Sequence, residues 1–377
     1  MIYLDSAATS FQKPDSVRAA VVRAFAEMSS PGRGGYPAAM RAADMVLECR
    51  TELQELFRVQ TPEQVVFTMN ATHALNIAVK SLVPPEGHAV ISGYEHNAVT
   101  RPLHALNASV TVARAPLFDP EKTVAAFREA IVPGTDAVIC NHVSNVFGYA
   151  QPVEEIAALC RERQVPLIID ASQSAGILLL DCRVLGAAFV AMPGHKGLCG
   201  PQGTGVLICG ESAPLRPLLE GGTGSRSAEQ EMPDFLPDRL EAGTQNVPGI
   251  AGLLAGVRFV RARGLARICT HERYLAASAA AGLRSVPGVQ VFAGEGLFAQ
   301  TGVLSFRSEK IDPDTLGNRL SQRGIAVRTG LHCAPLAHKT AGTFETGTVR
   351  ASFSFFNTEA EVFRLVEAVE EILREKS

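Results

Sequence analysis

Apolar residues along the first two thirds of this chain fall in short unbroken runs, each closed by a polar residue. Val65-Val-Phe67 leads to Asn70, Ala89-Val-Ile-Ser92 to His96, and Ala137-Val-Ile-Cys140 stops at Asn141. Val165-Pro-Leu-Ile-Ile169 stops at Asp170, and Phe189-Val-Ala-Met192 at Pro193-Gly194. Runs of this length that are apolar on both sides read as strands buried on both faces. Between them the pattern predicts helices from about Asp15, from Ala38 to Phe57, from Pro152 to Arg163 and from Gly249 to Arg263. A further helix starts at Asn70 and Thr72, two capping residue types. Strands alternating with helices predict βαβ units and a mostly parallel sheet, with ligands at the carboxyl ends of the strands. The stretch after Phe189 differs: a glycine-rich turn leads back into Val206-Leu-Ile208, giving strand, turn and strand.

The last third changes texture. Gly302 to Phe306, Ile325 to Arg328 and Thr348 to Phe353 read as strands, and Pro313 to Arg323 as a helix stopped by Gly324. A final helix is announced by a capping box at Thr358 and Glu361, with Val362, Leu365, Val366 and Val369 on one face. The expected organisation is an irregular arm over residues 1–14, a large α/β domain over 15–250 and a small α+β domain over 251–377.

A chain of 377 residues can build both cores without metal or disulfide staples. With 46% hydrophobic and 19% charged residues and a net charge of -3, it gives no reason to expect nucleic acid or an anionic membrane as partner. The opening Met1-Ile-Tyr-Leu-Asp5 meets a carboxylate at once, unlike a secretory signal. No apolar run approaches the roughly 18 residues of a membrane helix. Eight cysteines are scattered with no Cys-x-x-Cys pair, which fits a reducing compartment and inert core thiols. The expected location is cytoplasmic.

Chemistry concentrates where the strands run out. A lysine alone is usually a solvated charge, and an aspartate after a strand is often a turn residue. Lys196 and Asp170 instead stand at two strand ends among glycines, with Gln173 and His195 beside them. They are the two groups pyridoxal phosphate requires: an amine for its aldehyde and a carboxylate that keeps its ring nitrogen protonated. The helix start at 70 to 72 has free N–H groups and a positive dipole end, a natural phosphate seat. Gly200-Pro-Gln-Gly-Thr-Gly205 lacks the dinucleotide order and opens a strand, which excludes a nicotinamide site there.

Asp170-Ala-Ser-Gln-Ser-Ala-Gly176, Gly194-His-Lys-Gly197 and Gly200-Pro-Gln-Gly-Thr-Gly205 resemble the cysteine desulfurases, in the class V branch of pyridoxal-phosphate enzymes. The resemblance runs nearly end to end and implies the fold type I, aspartate aminotransferase-like architecture. It assigns Ala71 and Thr72 to the cofactor phosphate, and His96, in Glu95-His-Asn-Ala98, to stacking on the ring and handling protons. Asn145, in His142-Val-Ser-Asn-Val-Phe-Gly148, is implied at the ring hydroxyl and the substrate carboxylate, and His142 in support of the turn. Thr223 lies in a glycine-rich loop that in relatives crosses to the partner's phosphate, which implies a homodimer. Glu241-Ala-Gly-Thr-Gln-Asn246 and the arm motif Tyr3-Leu-Asp-Ser-Ala-Ala-Thr9 also match, the arm lying near the substrate. Two departures stand out. Pro193 replaces a serine that bonds the phosphate in many relatives, leaving Ser172 and His195 to carry that load, and no His-Arg pair stands near Tyr36-Pro37.

The reactive thiol is expected at Cys333, in Arg328-Thr-Gly-Leu-His-Cys-Ala334. A cysteine in a glycine-bearing loop beside a histidine and an arginine is placed to be exposed and to ionise readily. The motif resembles the short catalytic loop of one desulfurase group. Arg350 lies in an apolar strand and fits the family's carboxylate clamp, and Arg328 is also expected on the substrate side. The implied reaction takes L-cysteine to L-alanine, leaves a persulfide on Cys333 and passes its sulfur to an acceptor protein or thiol. A selenocysteine lyase would use nearly the same site, a class V aminotransferase would not need Cys333, and a non-catalytic member of the fold would not need Lys196.

Overall fold

The computed structural model describes residues 1–31, 34–297 and 299–375. Gly32 and Arg33 of the glycine-rich stretch before Tyr36 lie outside the described residues.

Seven strands form the large sheet in the order Val65–Thr68, Gly205–Cys209, Phe189–Pro193, Leu167–Asp170, Ala137–Asn141, His88–Ser92 and Ser109–Ala113. Every adjacent pair is parallel except those made by Gly205–Cys209, which runs against both neighbours. That strand is the return arm of the glycine-rich turn and needs only a hairpin, whereas the parallel strands need helical crossovers.

Side chains alternate between two cores, as both faces of the sheet are covered. Val65, Phe67, Leu167, Ile169, Val206 and Ile208 enter one, packed under the helices Pro37–Phe57, Val153–Arg163 and Val247–Arg263. Val66, Ile168, Leu207 and Cys209 enter the other, under Ala71–Leu82 and Asn97–Ala105. Asn141 pairs with Asp170 and Asp170 with Ala191, so neighbouring carboxyl ends lie level. The chain first moves to one side of His88–Ser92 and then to the other, and ligands of open α/β sheets bind at such a switch point.

The small domain has an antiparallel sheet in the order Arg328–Gly330, Thr348–Ser352, Val303–Ser308 and Val289–Phe292. Leu265–Arg284 and Glu359–Arg374 cover it, the latter with the expected reciprocal capping box and with Val362, Leu365 and Val369 buried. The expected strand Ile325 to Arg328 is two elements. Ile325–Ala326 pairs in parallel with Ile2–Tyr3 of the arm, and the backbone changes partner at Val327 before Arg328–Gly330 joins the sheet. Leu4 consequently lies in the small-domain core. The helix Val247–Arg263 starts two residues earlier than expected, capped by Asn246, and buries Ile250, Leu253, Leu254 and Val257 against the large sheet.

Candidate active site

Polar positions gather along the carboxyl ends of the large sheet because a strand buried on both faces cannot carry an unpaired charge, so its polar residues wait for the exit. They line a cavity of about 120 Å3, with Asn70, Ala71 and Thr72 at one end, Asp170 and Lys196 in the middle, and His96, Asn145, Gln173 and His195 around them. The structure thus brings together every expected cofactor residue except Thr223. That residue sits elsewhere, half-buried in its own loop with its hydroxyl 3.4 Å from that of Ser225.

Asp170 is buried at the last position of its strand, and its Oδ1 accepts the Ser172 N–H at 2.9 Å. Lys196 follows the strand Phe189–Pro193 in a turn locked by Gly194 N–H to Thr204 O at 2.9 Å and by Cys199 N–H to Lys196 O at 2.9 Å. The turn lies against the one that follows Asp170. A Cβ on Gly176, φ 83°, would run into the Gly197 carbonyl, so glycine there is what lets the two groups approach. The Lys196 ammonium is lowered to about 8 by desolvation, with Arg350 and Arg328 adding to the effect and Asp170 opposing it. An amine so lowered is unprotonated to about a tenth at pH 7, far more than an ordinary lysine, and only the unprotonated amine is a nucleophile toward a carbonyl.

Asn70 caps the helix Ala71–Leu82, its Oδ1 accepting the His73 N–H at 2.9 Å. The first-turn N–H groups of Ala71 and Thr72 have no carbonyl within the helix to reach, and both residues line one end of the cavity, a position that favours an anion. Pro193 offers neither an N–H nor a hydroxyl. His195 is tied by Nδ1 to Thr9 Oγ1 at 3.0 Å and lowered to about 4 by burial and then by the nearby Lys196 and Lys13, so it stays neutral. His96 caps the helix Asn97–Ala105, its Nδ1 accepting the Ala98 N–H at 3.0 Å, and burial lowers it further. Gln173 donates to Ala7 O of the arm at 2.9 Å.

Asn145 is buried and joins the two domains. Its Nδ2 donates to His332 O at 2.8 Å, its carbonyl accepts from Arg350 Nη1 at 2.9 Å, and its Oδ1 has no partner among the described residues. An orphaned acceptor in a cavity with a helix N-terminus, a carboxylate and a lowered lysine fits pyridoxal 5'-phosphate, whose hydroxyl, phosphate, ring nitrogen and aldehyde need those four groups.

Arg328 and Arg350 are direct cross-strand partners on adjacent strands. Like charges so placed repel each other, and an adjacent anion relieves the repulsion; Asp5 supplies one at Arg350, 2.6 Å away. Arg350 is 1% exposed, and Arg328 reaches Cys333, with its Nη2 3.6 Å from the sulfur. Cys333 is exposed, while six of the other cysteines are buried and Cys182 is half-buried. Burial pushes the Cys140, Cys160 and Cys199 thiols well up, the last two to about 12. Both His332 and Cys333 are left-handed, φ 49° and 57°, a local strain of the kind held only by surrounding contacts. The Asn97 N–H to Cys333 O bond of 2.9 Å supplies one such contact and fixes the thiol's backbone next to His96. One expectation is corrected. His332 is buried with Nε2 on Thr348 Oγ1 at 3.1 Å and is lowered to about 2, chiefly by burial, so the cation beside the thiol is Arg328.

Comparison with known proteins gives the lineage. The aminotransferase class-V family model matches residues 2–365. A probable cysteine desulfurase of Methanothermobacter thermautotrophicus is 34% identical, over 98% of this chain and 94% of that protein. One from Streptomyces coelicolor is 32% identical over 99% and 92%. The chain belongs to the cysteine desulfurases of aminotransferase class V. Its fold matches the apo cysteine desulfurase of Thermococcus onnurineus with a TM-score of 0.90 at 29% identity, covering 99% of this chain and 95% of that one. As a member of that family it is a pyridoxal-phosphate enzyme.

Three polar groups of the site region, one half-buried and two buried, were not foreseen. Asp5 pairs with Arg350 at 2.6 Å. Glu95 lies under the site on Ser92 and the Asn141 N–H and is raised to about 8 by burial. Glu272 stands in a second cavity behind Lys196. Glu95 sits beside His96 in a recognisable motif and could have been read from it; the other two carry no local signal.

Proposed function

We propose that the protein removes sulfur from L-cysteine, forms a persulfide on Cys333 and releases L-alanine. The observation that carries the reading is Cys333 itself: it is the exposed cysteine, held by its carbonyl on the Asn97 N–H at the rim of the cavity that contains Lys196 and Asp170. Bound pyridoxal phosphate supplies the electron sink that makes the α-proton acidic and lets the bond from the β-carbon to sulfur break. Ala71 and Thr72 would hold its phosphate, helped by Ser172 and His195, while Asp170 would keep its ring nitrogen protonated. Gln173 and His96 would position the ring. Lys196 would bind the aldehyde carbon and then move the proton of the substrate's α-carbon. Arg350, Arg328 and Asn145 would orient the substrate carboxylate.

Cys333 thiolate attacks the substrate sulfur. A sulfur–sulfur bond forms as the carbon–sulfur bond breaks, the electron pair stays on the β-carbon, and that carbon takes up one proton to become the methyl group of alanine. The transferred sulfur is oxidised to the sulfane level and the carbon is reduced, so no outside oxidant is required. An acceptor thiol or protein then takes the sulfur, and iron–sulfur cluster assembly in the cytoplasm is the use we infer. The working unit is a homodimer in which Thr223 serves the partner's phosphate, a reading supported by its absence from the lining of its own cavity. The division between the domains, expected at residue 250, we place later, near Gly264, where two helices abut, because the helix Val247–Arg263 packs in the large-sheet core.

The test is the purified protein with pyridoxal phosphate and L-cysteine, with alanine and sulfide measured for wild type, Cys333→Ala and Lys196→Ala. Both products should form in wild type only, and Lys196→Ala should also lose the visible absorption of the lysine-bound cofactor. Alanine or sulfide formation undiminished in Cys333→Ala would overturn the reading.

A further inference from the structure

The buried arginine assigned as the carboxylate clamp already has a carboxylate on it. Arg350 Nη2 donates to Asp5 Oδ1 at 2.6 Å and Nη1 to Asn145 O at 2.9 Å, while Nε has no partner among the described residues. The Arg350 side chain is 1% exposed and that of Asp5 21%, so the approach to this guanidinium from solvent passes the arm's carboxylate. Asp5 is held there. The arm is strapped to the strand that carries Arg350 through Ser352 N–H to Leu4 O at 2.8 Å and Ala7 N–H to Ser352 Oγ at 2.9 Å. Its other side is fixed by Leu4 N–H to Ala326 O at 2.9 Å.

The contact is of a kind that can be replaced. Asp5 uses one oxygen on one nitrogen, whereas a substrate carboxylate can engage two N–H groups of the planar fork at once. A buried guanidinium with no counter-ion would be costly, so the free protein gains from an internal anion. That same anion must be outcompeted by any carboxylate that binds.

We propose that Asp5 is an internal counter-ion that occupies the Arg350 clamp until an amino-acid carboxylate takes its place, and that it thereby sets the affinity for substrate. The proposal rests on Arg350 being the clamp. Asp5→Asn keeps the shape and an acceptor oxygen for Nη2 but removes the competing charge.

Binding to the cofactor-loaded protein is followed through its visible spectrum, with L-alanine as a carboxylate ligand that has no sulfur to lose and ethylamine as its counterpart without a carboxylate. In Asp5→Asn, L-alanine should bind about fivefold more tightly, the size expected for relief of one partly exposed charge pair. Ethylamine should bind as in wild type, and KM for L-cysteine should fall with the alanine constant. In an Arg350→Ala background the Asp5 substitution should have no effect. If Arg350→Ala weakens L-alanine while Asp5→Asn weakens it or leaves it unchanged, Asp5 merely buttresses the arginine and the proposal is wrong. If Arg350→Ala leaves L-alanine binding intact, the clamp assignment itself fails and the proposal with it. Asp5→Ser, smaller and neutral, repeats the comparison should the asparagine variant not fold.

Discussion

Glu272 offers a direct test of how this fold tolerates charge. It lies on the helix Leu265–Arg284, is 4% exposed, makes no ion pair among the described residues and leaves Oε2 without a hydrogen-bond partner. The cavity it faces, about 40 Å3 or room for two or three waters, is walled by Phe259, Phe353, Phe355 and Phe356. Burial raises its carboxyl to about 8, a rise opposed only by the Phe355 N–H. In the unfolded chain the same group ionises near 4.3. Between those two values the folded protein holds a proton that the unfolded chain has released, so stability falls as pH rises through the window and is restored on acidification. A displacement of that size corresponds to about 5 kcal/mol above pH 8 and about 4 kcal/mol at pH 7.

Glu272→Gln keeps an acceptor for Phe355 and removes the titration. Denaturant or thermal unfolding of the two proteins should coincide near pH 4.5 and diverge above it. At pH 8 the variant should be the more stable by up to about 5 kcal/mol, or about 6 °C in a protein of this length. Lys196 lines the same cavity, and the Cys199 and Cys269 thiols are neighbours of the carboxyl. If the difference between variant and wild type does not change from pH 5 to 8, the carboxyl is ionised in the fold with Lys196 as its counter-charge, and the reasoning fails.

Two further substitutions probe the supports of the site. Gly176→Ala places a Cβ against the Gly197 backbone at a positive φ, so it should displace the Lys196 turn and weaken retention of pyridoxal phosphate about tenfold or more; visible absorbance per protein after dialysis reads this, and full retention would refute it. Arg50 and Glu241 form a buried two-bond pair at 2.7 and 2.6 Å, and Glu241 also accepts the Phe67 N–H. Arg50→Met should therefore cost about 3–5 kcal/mol in denaturant unfolding, and Arg50→Met with Glu241→Gln should recover part of it; a loss below about 1 kcal/mol would show that the pair is hydrated in the fold.

What could be read in advance followed from local constraints. Asp170, Asn141 and Asn70 mark strand exits because no strand covered on both faces can keep a polar side chain, and the Lys196–Asp170 pair and the helix start at 70 were legible from those exits, whereas the roles of His96, Asn145, Thr223 and Arg350 came from the family resemblance. The strand Val289–Phe292 was missed because its side chains are exposed or half-buried and show no clean alternation. The break at Val327 was missed because an apolar run does not say when the backbone changes partner. Glu272, followed by Arg273, reads as the solvent face of a helix, and only packing by four phenylalanines from two distant segments makes it a core residue. Asp5 and Arg350 stand 345 positions apart, and nothing near either names the other. The arm's polarity was visible, but its attachment to Thr348–Ser352 was not. Charges that meet only through tertiary structure are therefore where the sequence is least informative. Where such a charge is a buried cation like Arg350, it needs an anion whether or not substrate is present, and that need is what motivates the role proposed for Asp5.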